Sequence, residues 1–278
     1  MIWTSIFWNF ISEARYKPKY LGFKPIKSDY QEILDQGKTL YYKNLNEQDY
    51  WEQVARYEEP FNAIFEFTFA MLSGDISHQI FNPICGFNDN QPLEYHGCQL
   101  FERYGWKATD NITVPDAYFL NDTTILAIEV KFDAKTSLNQ LAKYIYLMMI
   151  EEEHSGESKD IHLLYIMNKH VKEALERQLN HNPDTIHQLT PQSLLNTFKM
   201  NSSSTRKNVK IFNYLEANQN QLQKIIHKIQ LHGITFQELY YQLEAYTSSS
   251  TNQTANNIIK GLMAEIVKHP LSNASNKS

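Results

Sequence analysis

The sequence is poor in the features that mark several protein classes. Its 278 residues include only two cysteines, Cys85 and Cys98, which are too few for a disulfide framework and form no CxxC pair. No run reaches the ~18 uninterrupted apolar residues that a membrane-spanning helix needs. A cationic excess is also missing, because the formal net charge is -5, so overall charge gives no sign of nucleic-acid binding. These absences predict a reducing, cytoplasmic location and no membrane partner.

The composition that is present predicts a folded protein. Hydrophobic residues make up 42% of the chain and aromatic residues 13%, enough for a sizeable core. The chain is also longer than a usual single domain. We predict an α/β core at 77–213, a mostly helical addition at 1–76, and a C-terminal helical region with a linker and disordered tail at 214–278. The terminal helices would offer surfaces for a homodimer or a protein partner.

The spacing of apolar residues orders the elements of this core. Leu93, Leu100 and Tyr104 fall on one stripe of a 3.6-residue helix, and Gly105 stands where a C-terminal cap belongs. Two β-rich runs flank the turn residues NDTT, as in an antiparallel hairpin. A mixed sheet with flanking helices, in three layers, is therefore the expected α/β fold class. The predicted elements are a helix at 61–72, a loop at 77–92, a helix at 92–104, strands at 114–120 and 124–132, a helix at 138–153, strands at 161–167 and 209–213, and helices at 216–231, 235–246 and 257–268.

The predicted hairpin, VPDAYFLNDTTILAIEVKF, carries charges in an otherwise apolar run. Side chains alternate along a strand, so Glu129 and Lys131 share a face, and a turn at 121–123 puts Asp116 opposite them, within about a strand spacing of ~4.8 Å. Two converging carboxylates repel each other unless a cation lies between them, and Mg²⁺ prefers oxygen ligands. Such an ion polarises a phosphoryl oxygen, and a neighbouring ammonium stabilises charge on a phosphate. These residue types predict a phosphodiester-cleaving site.

The same residues resemble the signature of the PD-(D/E)XK nuclease superfamily. Pro115-Asp116 is followed, after twelve residues, by Glu129-Val130-Lys131. The resemblance covers about 91–167 and implies a restriction-endonuclease-like core that hydrolyses DNA with Mg²⁺ or Mn²⁺. It implies Asp116, Glu129 and the Val130 carbonyl as metal ligands, and Lys131 as the group that activates water or stabilises the transition state.

The segments on either side of the hairpin extend the resemblance. LEYHGCQLFERYGW supplies Glu94 and then Gly105-Trp106, similar to the helix that leads into the first strand of Holliday-junction resolvases and restriction-type nucleases. Gln140-x-x-x-Tyr144 resembles a further element of some of these nucleases. By this resemblance Glu94 would assist the metal or water, and Gln140 would support the site or contact DNA.

Each assignment has an ordinary alternative. If the hairpin charges formed only an exposed ion-pair cluster, they would contribute just ~0–1 kcal/mol to stability. That does not explain why charges are placed in so apolar a strand. Glu94 would serve equally as a first-turn glutamate favoured by the helix dipole, and Glu66, within an apolar helical run, competes for its role. Gln140 would otherwise only take part in helix capping with Ser137.

Two alternatives for the function stay open as well. One is a catalytically silent member of the fold that acts as a DNA-binding or protein-interaction module. The other is a junction-resolving or transposition-type nuclease that cuts only within an assembly. A zinc protein is not expected, because the spacings of His78, Cys85, His96 and Cys98 match no common structural site and predict ordinary burial instead.

Overall fold

A computed structural model describes residues 3–4, 58–97, 100–105, 114–132, 136–168, 171–179, 182–201 and 206–268. Most of the predicted N-terminal addition and the predicted C-terminal tail lie outside these ranges. No helix within them is long and apolar enough to cross a membrane. The elements are α1 Glu58–Ala70, α2 Gly74–Cys85, β1 Glu94–Tyr95, α3 Leu100–Arg103, β2 Ala117–Leu120, β3 Thr124–Lys131, α4 Leu138–Ser155, β4 Asp160–Met167, α5 Val171–Leu179, a 3₁₀ helix Pro183–Gln188, α6 Pro191–Asn201, α7 Arg206–Ala217, α8 Gln219–Lys228, β5 Ile229–Thr235, α9 Phe236–Ser249 and α10 Gln253–Lys268.

The strands form one mixed sheet in the order β1-β2-β3-β4-β5. The β1–β2 and β2–β3 pairs are antiparallel, whereas β3–β4 and β4–β5 are parallel. Every residue of β2 and β3 is buried, as expected for strands covered on both faces. The chain is therefore an α/β protein with a five-stranded mixed sheet, which confirms the predicted fold class at this level.

Helices cover both faces of the sheet. On the first face, Phe119, Ile128 and Val130 pack with residues of α1, α2, α9 and α10. On the second face, Tyr118 and Ala127 pack with residues of α4 to α8 and the 3₁₀ helix. The alternation of side chains along a strand divides the two cores, and three layers result.

The turn of the β2–β3 hairpin is held by polar contacts from a distant loop. Asp89 accepts hydrogen bonds from the hydroxyls of Thr123 and Thr124 at 2.5 and 2.7 Å. Asn121 accepts from the backbone N–H of Thr124 at 2.6 Å, and Lys159 Nζ donates to the Asn121 carbonyl at 2.7 Å. These contacts specify the register of the hairpin, in which Ala117 lies opposite Ile128. The predicted hairpin, its turn, α4 and β4 are confirmed.

The predicted helix over 92–104 is wrong. Residues 94–95 form β1, and among the described residues of this stretch the α-helical ones belong to the short α3. The apolar stripe that suggested one helix serves two different cores, because Leu93 packs on the first face and Leu100 on the second. Gly105, with a φ of 61°, does end the short helix as predicted.

Three further predictions of local structure fail. The predicted loop at 77–92 contains most of α2, whose Ile76, Ile80 and Phe81 are buried. The predicted strand at 209–213 is part of α7, because Ile211 and Leu215 are buried one helical turn apart. The predicted helix at 216–231 stops at Lys228, and the following residues pair with β4 instead.

Candidate active site

The ends of β2 and β3 bring together the charged residues of the hairpin. Ala117 lies opposite Ile128, and Asp116, the residue before it, accepts a hydrogen bond from the Val130 N–H. Asp116 therefore lies across from the 128–131 region, as predicted. Glu129 and Lys131 are only 3% and 7% exposed, whereas Asp116 is half-buried. An exposed ion-pair cluster therefore does not describe Glu129 and Lys131. Burying a charge is costly unless it is paired, so each carboxylate needs hydrogen-bond donors or a cation nearby.

Asp116 is held from two sides. Its Oδ2 accepts a 2.7 Å hydrogen bond from the backbone N–H of Val130, across the hairpin. Its Oδ1 accepts a 2.6 Å hydrogen bond from Nδ2 of Asn62 on α1. The N–H of Val130 thus contacts Asp116, whereas the role of the Val130 carbonyl as a metal ligand stays a prediction.

Glu129 is held by three donors. Gln140 Nε2 donates to Oε1 at 2.6 Å, Lys131 Nζ forms an ion pair with the same oxygen, and the Tyr144 hydroxyl donates to Oε2. Gln140 and Tyr144 lie one turn apart on α4 and also contact each other. A carboxylate has about four acceptor positions, so three donors leave one for a further donor or a cation.

Burial is the largest influence on the pKa of Glu129, which is paired with Lys131. Burial raises the pKa of Glu129 above its ordinary value, and the charge of Lys131 and the hydrogen bonds from Lys131, Tyr144 and Gln140 only partly oppose it. Burial and the charge of Glu129 raise the pKa of Tyr144 well above its usual range, so this phenol donates its proton to the carboxylate. Burial also lowers the pKa of Lys143, half-buried on the same helix. A second cation at this carboxylate would favour its ionised form.

The residues present fit a hard divalent cation such as Mg²⁺. Asp116 and Glu129 supply carboxylate oxygens, the ligand type that this ion prefers. The Oδ1 atom of Asn62 is buried and accepts no hydrogen bond within the described residues, although Nδ2 of the same amide contacts Asp116. A buried oxygen in that state needs a donor or a cation, and water bound to a metal would supply the donor.

Glu94 does not lie beside Asp116. It is exposed on β1 and pairs with Leu120 at the turn end of the hairpin. Four residues of strand separate Leu120 from Asp116, which corresponds to about 13 Å. The carboxylate of Glu94 lies instead against Gly74, where an added Cβ would come within 2.5 Å of Oε1. The resemblance gave Glu94 a role on a helix beside the hairpin, whereas the structure places Glu94 on a strand.

The helix that contacts the Asp116 carboxylate is α1, which carries both Asn62 and Glu66. Glu66 is half-buried and accepts a 2.6 Å hydrogen bond from the Tyr95 hydroxyl. It lies one turn after Asn62, and residues at this spacing share a helix face. Sequence reasoning missed Asn62. The available signal was its position four residues before Glu66 in an otherwise apolar run.

Comparison with known proteins identifies no relative of this chain. No protein-family model matches the chain, and neither a curated protein nor a solved structure is significantly similar to it.

Proposed function

We propose that the protein is a Mg²⁺- or Mn²⁺-dependent deoxyribonuclease with a restriction-endonuclease-like core. The observation that carries this proposal is the buried Glu129–Lys131 pair beside Asp116 at the ends of two paired strands. A buried ion pair is weak evidence for stability, since apolar residues of similar volume often do as well. Two carboxylates at neighbouring strand ends, each held by hydrogen bonds, together with an ammonium favour a functional role instead.

In the proposed reaction each side chain has a defined task. Asp116 and Glu129 would hold the divalent ion, which supplies polarisation of the phosphate and activation of water when bound. Asn62 keeps the Asp116 carboxylate in one orientation, and Gln140 and Tyr144 do the same for Glu129.

Lys131 would stabilise negative charge that develops on the phosphate. Its pairing with Glu129 keeps the ammonium at the site. The half-buried Lys143, three residues after Gln140 on the same helix, would add a cation for a flanking phosphate. Holding such groups in place before the reaction is what makes a catalytic site effective.

One observation favours the silent-module alternative. Glu129 and Lys131 are almost fully covered, whereas a working site must admit a phosphodiester. Under that alternative the pair is structural and the protein acts only by binding DNA or another protein. An assembly-dependent nuclease is a further outcome, since a partner or branched DNA would then be needed to open the site.

The deciding experiment is a cleavage assay on linear duplex, supercoiled circular, single-stranded and branched DNA and on RNA. We expect cleavage of DNA with Mg²⁺ or Mn²⁺ and none in EDTA. Asp116→Asn should lower the rate on the order of 100-fold or more, whereas the exposed control Glu157→Gln should match the wild type. Undiminished cleavage in chelator would exclude the metal mechanism. Inactivity of the folded protein on every substrate would favour the catalytically silent module. Cleavage of branched DNA but of no other substrate would favour the junction-resolving alternative.

A further inference from the structure

A second cluster of chemically active side chains lies on the other face of the sheet. Cys85 is the last residue of α2, His162 lies on β4 and His232 on β5. One potential ligand atom from each residue lies within 4.8 Å of the other two. The ring atoms His162 Nδ1 and His232 Nε2 are 3.0 Å apart. Residues 77 and 70 positions apart in the chain thus converge at one point.

The sheet register explains why the two histidines meet. His232 lies opposite Leu164, and Gln230 opposite His162, so the histidines are diagonal neighbours on parallel strands. Because side chains alternate, they face α2 and not α4. Glu129 lies opposite Tyr165, three residues beyond His162 on β4, and faces the other way. The cluster is therefore separate from the candidate active site.

A buried nitrogen without a partner points to a ligand. His162 is 0% exposed, and its Nε2 atom makes no hydrogen bond within the described residues. The other ring nitrogen faces His232, so a hydrogen bond between the two rings satisfies only one side of His162. A buried polar atom of this kind calls for a partner, and an imidazole nitrogen beside a thiol is a common ligand of transition metals.

Burial favours the neutral, metal-binding form of the two histidines but disfavours the thiolate form of Cys85. Burial, and secondarily the charge of His232, lowers the pKa of His162 to about 4, and burial lowers that of His232. Both rings are thus neutral at pH 7, the form that binds metals. Burial raises the pKa of Cys85 to about 12, so its thiol is protonated until a metal replaces the proton.

We propose that Cys85, His162 and His232 bind one Zn²⁺ ion that ties α2 to β4 and β5. One sulfur and two nitrogen ligands suit zinc, and water completes its four-coordinate shell. Binding converts the Cys85 thiol to a thiolate and releases one proton to solvent. This ion would join three elements distant in sequence, and its site is independent of the proposed nuclease function.

Cobalt substitution tests the site without reference to activity. Purified protein freed of metal is titrated with Co²⁺, whose bond to a thiolate gives a charge-transfer absorption in the near ultraviolet. We expect one equivalent to bind the wild type with this absorption, and Zn²⁺ to displace it. Cys85→Ser should abolish the absorption. His232→Asn should weaken Zn²⁺ binding by at least about 100-fold, because losing a ligand should cost no less than losing a residue that only hydrogen-bonds to a ligand, which costs up to about 100-fold.

Two matched controls make the assignment specific. Cys98→Ser removes the only other cysteine of the chain, and His78→Asn removes a buried histidine of α2 that contacts the Asp89 carbonyl instead. Both variants should keep the absorption. Zn²⁺ should also raise the melting temperature of the wild type but not of Cys85→Ser. The proposal is overturned if the folded wild type shows no thiolate absorption with Co²⁺, if Cys85→Ser keeps it, or if Cys98→Ser loses it.

Discussion

Asn62 and Asp116, 54 positions apart in the chain, are joined by a 2.6 Å hydrogen bond from Nδ2 to Oδ1. The bond ties α1 to the start of β2 and leaves Oδ1 of Asn62 buried beside the carboxylate, with no hydrogen-bond partner among the described residues. The candidate site is therefore supported by α1, Glu58–Ala70, as well as by α4.

Substitution of Asn62 tests whether this bond positions Asp116 for metal binding. Asn62→Ala should raise the Mg²⁺ concentration needed for half-maximal cleavage, because the carboxylate loses its orientation. The loss of stability should be about 1 kcal/mol. Asn88→Ala is the matched control, since the exposed Asn88 donates a 2.8 Å hydrogen bond to the half-buried Asp160 elsewhere. Equal effects of both variants on the Mg²⁺ dependence would contradict a positioning role.

The buried charge pair allows function to be separated from stability. Lys131→Met should abolish cleavage but keep Mg²⁺ binding, because the lysine acts on the phosphate and the carboxylates hold the ion. The double variant Glu129→Gln/Lys131→Met removes both charges together, so it should be as stable as the wild type or more stable by about 1–4 kcal/mol. Calorimetric unfolding and a cleavage assay measure both effects. A double variant less stable than either single variant would make the pair structural.

The two glutamates that compete for the helix role are expected to differ. Glu94→Gln should keep most of the cleavage activity, because Glu94 is exposed at the turn end of the hairpin. Glu66→Gln should lower activity, since Glu66 shares a helix face with Asn62 and accepts the Tyr95 hydrogen bond. Parallel rate measurements at equal folded fraction decide between them. An inactive, well-folded Glu94 variant would restore the role that the family resemblance gives to Glu94.

A pH dependence of stability follows from Glu151. Arg103 donates to both of its oxygens, at 2.9 and 2.7 Å, and the Tyr104 hydroxyl to one of them. Burial raises the pKa of Glu151, but these hydrogen bonds lower it more, to below its ordinary 4.5. The stabilisation is therefore present above pH 4.5 and is lost as the pH falls through the lowered pKa.

Thermal unfolding between pH 7 and pH 3 measures this effect. Glu151→Gln should cost about 3 kcal/mol at pH 7, because Arg103 loses a buried partner. Its stability should also fall less steeply with acid than that of the wild type. The exposed Glu157→Gln is the control and should follow the wild type throughout. A Glu151 variant with the same acid slope as the wild type would assign the acid sensitivity to other carboxylates.

Local patterns were sufficient to predict the part of the fold that carries the charges. The β2–β3 hairpin, α4 and β4 each have a clear period and clear boundary residues, so the position of Asp116 across from the 128–131 region followed from these patterns. The place of Gln140 at the site was expected only from the family resemblance. The role of Asn62 could not, because it depends on how α1 packs against a hairpin 54 positions away. The same holds for Leu93 and Leu100, whose shared stripe conceals that they enter different cores.

Long-range pairing also explains why the residues of β5 form a strand and do not extend α8. Ile229 continues the apolar spacing of α8, so the sequence favours a longer helix, but the residues after Lys228 gain a parallel partner in β4. The meeting of His162 with His232 depends on that same pairing and on no local signal.

The late position of β5 has a consequence for synthesis on the ribosome. β4 is complete at Met167, but its second neighbour begins only at Ile229, so a growing chain carries a nearly all-apolar strand with an unpaired edge while residues 168–228 are added. Open apolar edges recruit other chains, and pairing across such a separation forms slowly. Fragments that stop before residue 229 should therefore aggregate, and expression of the full chain should gain from slow synthesis or from chaperones that shield this edge.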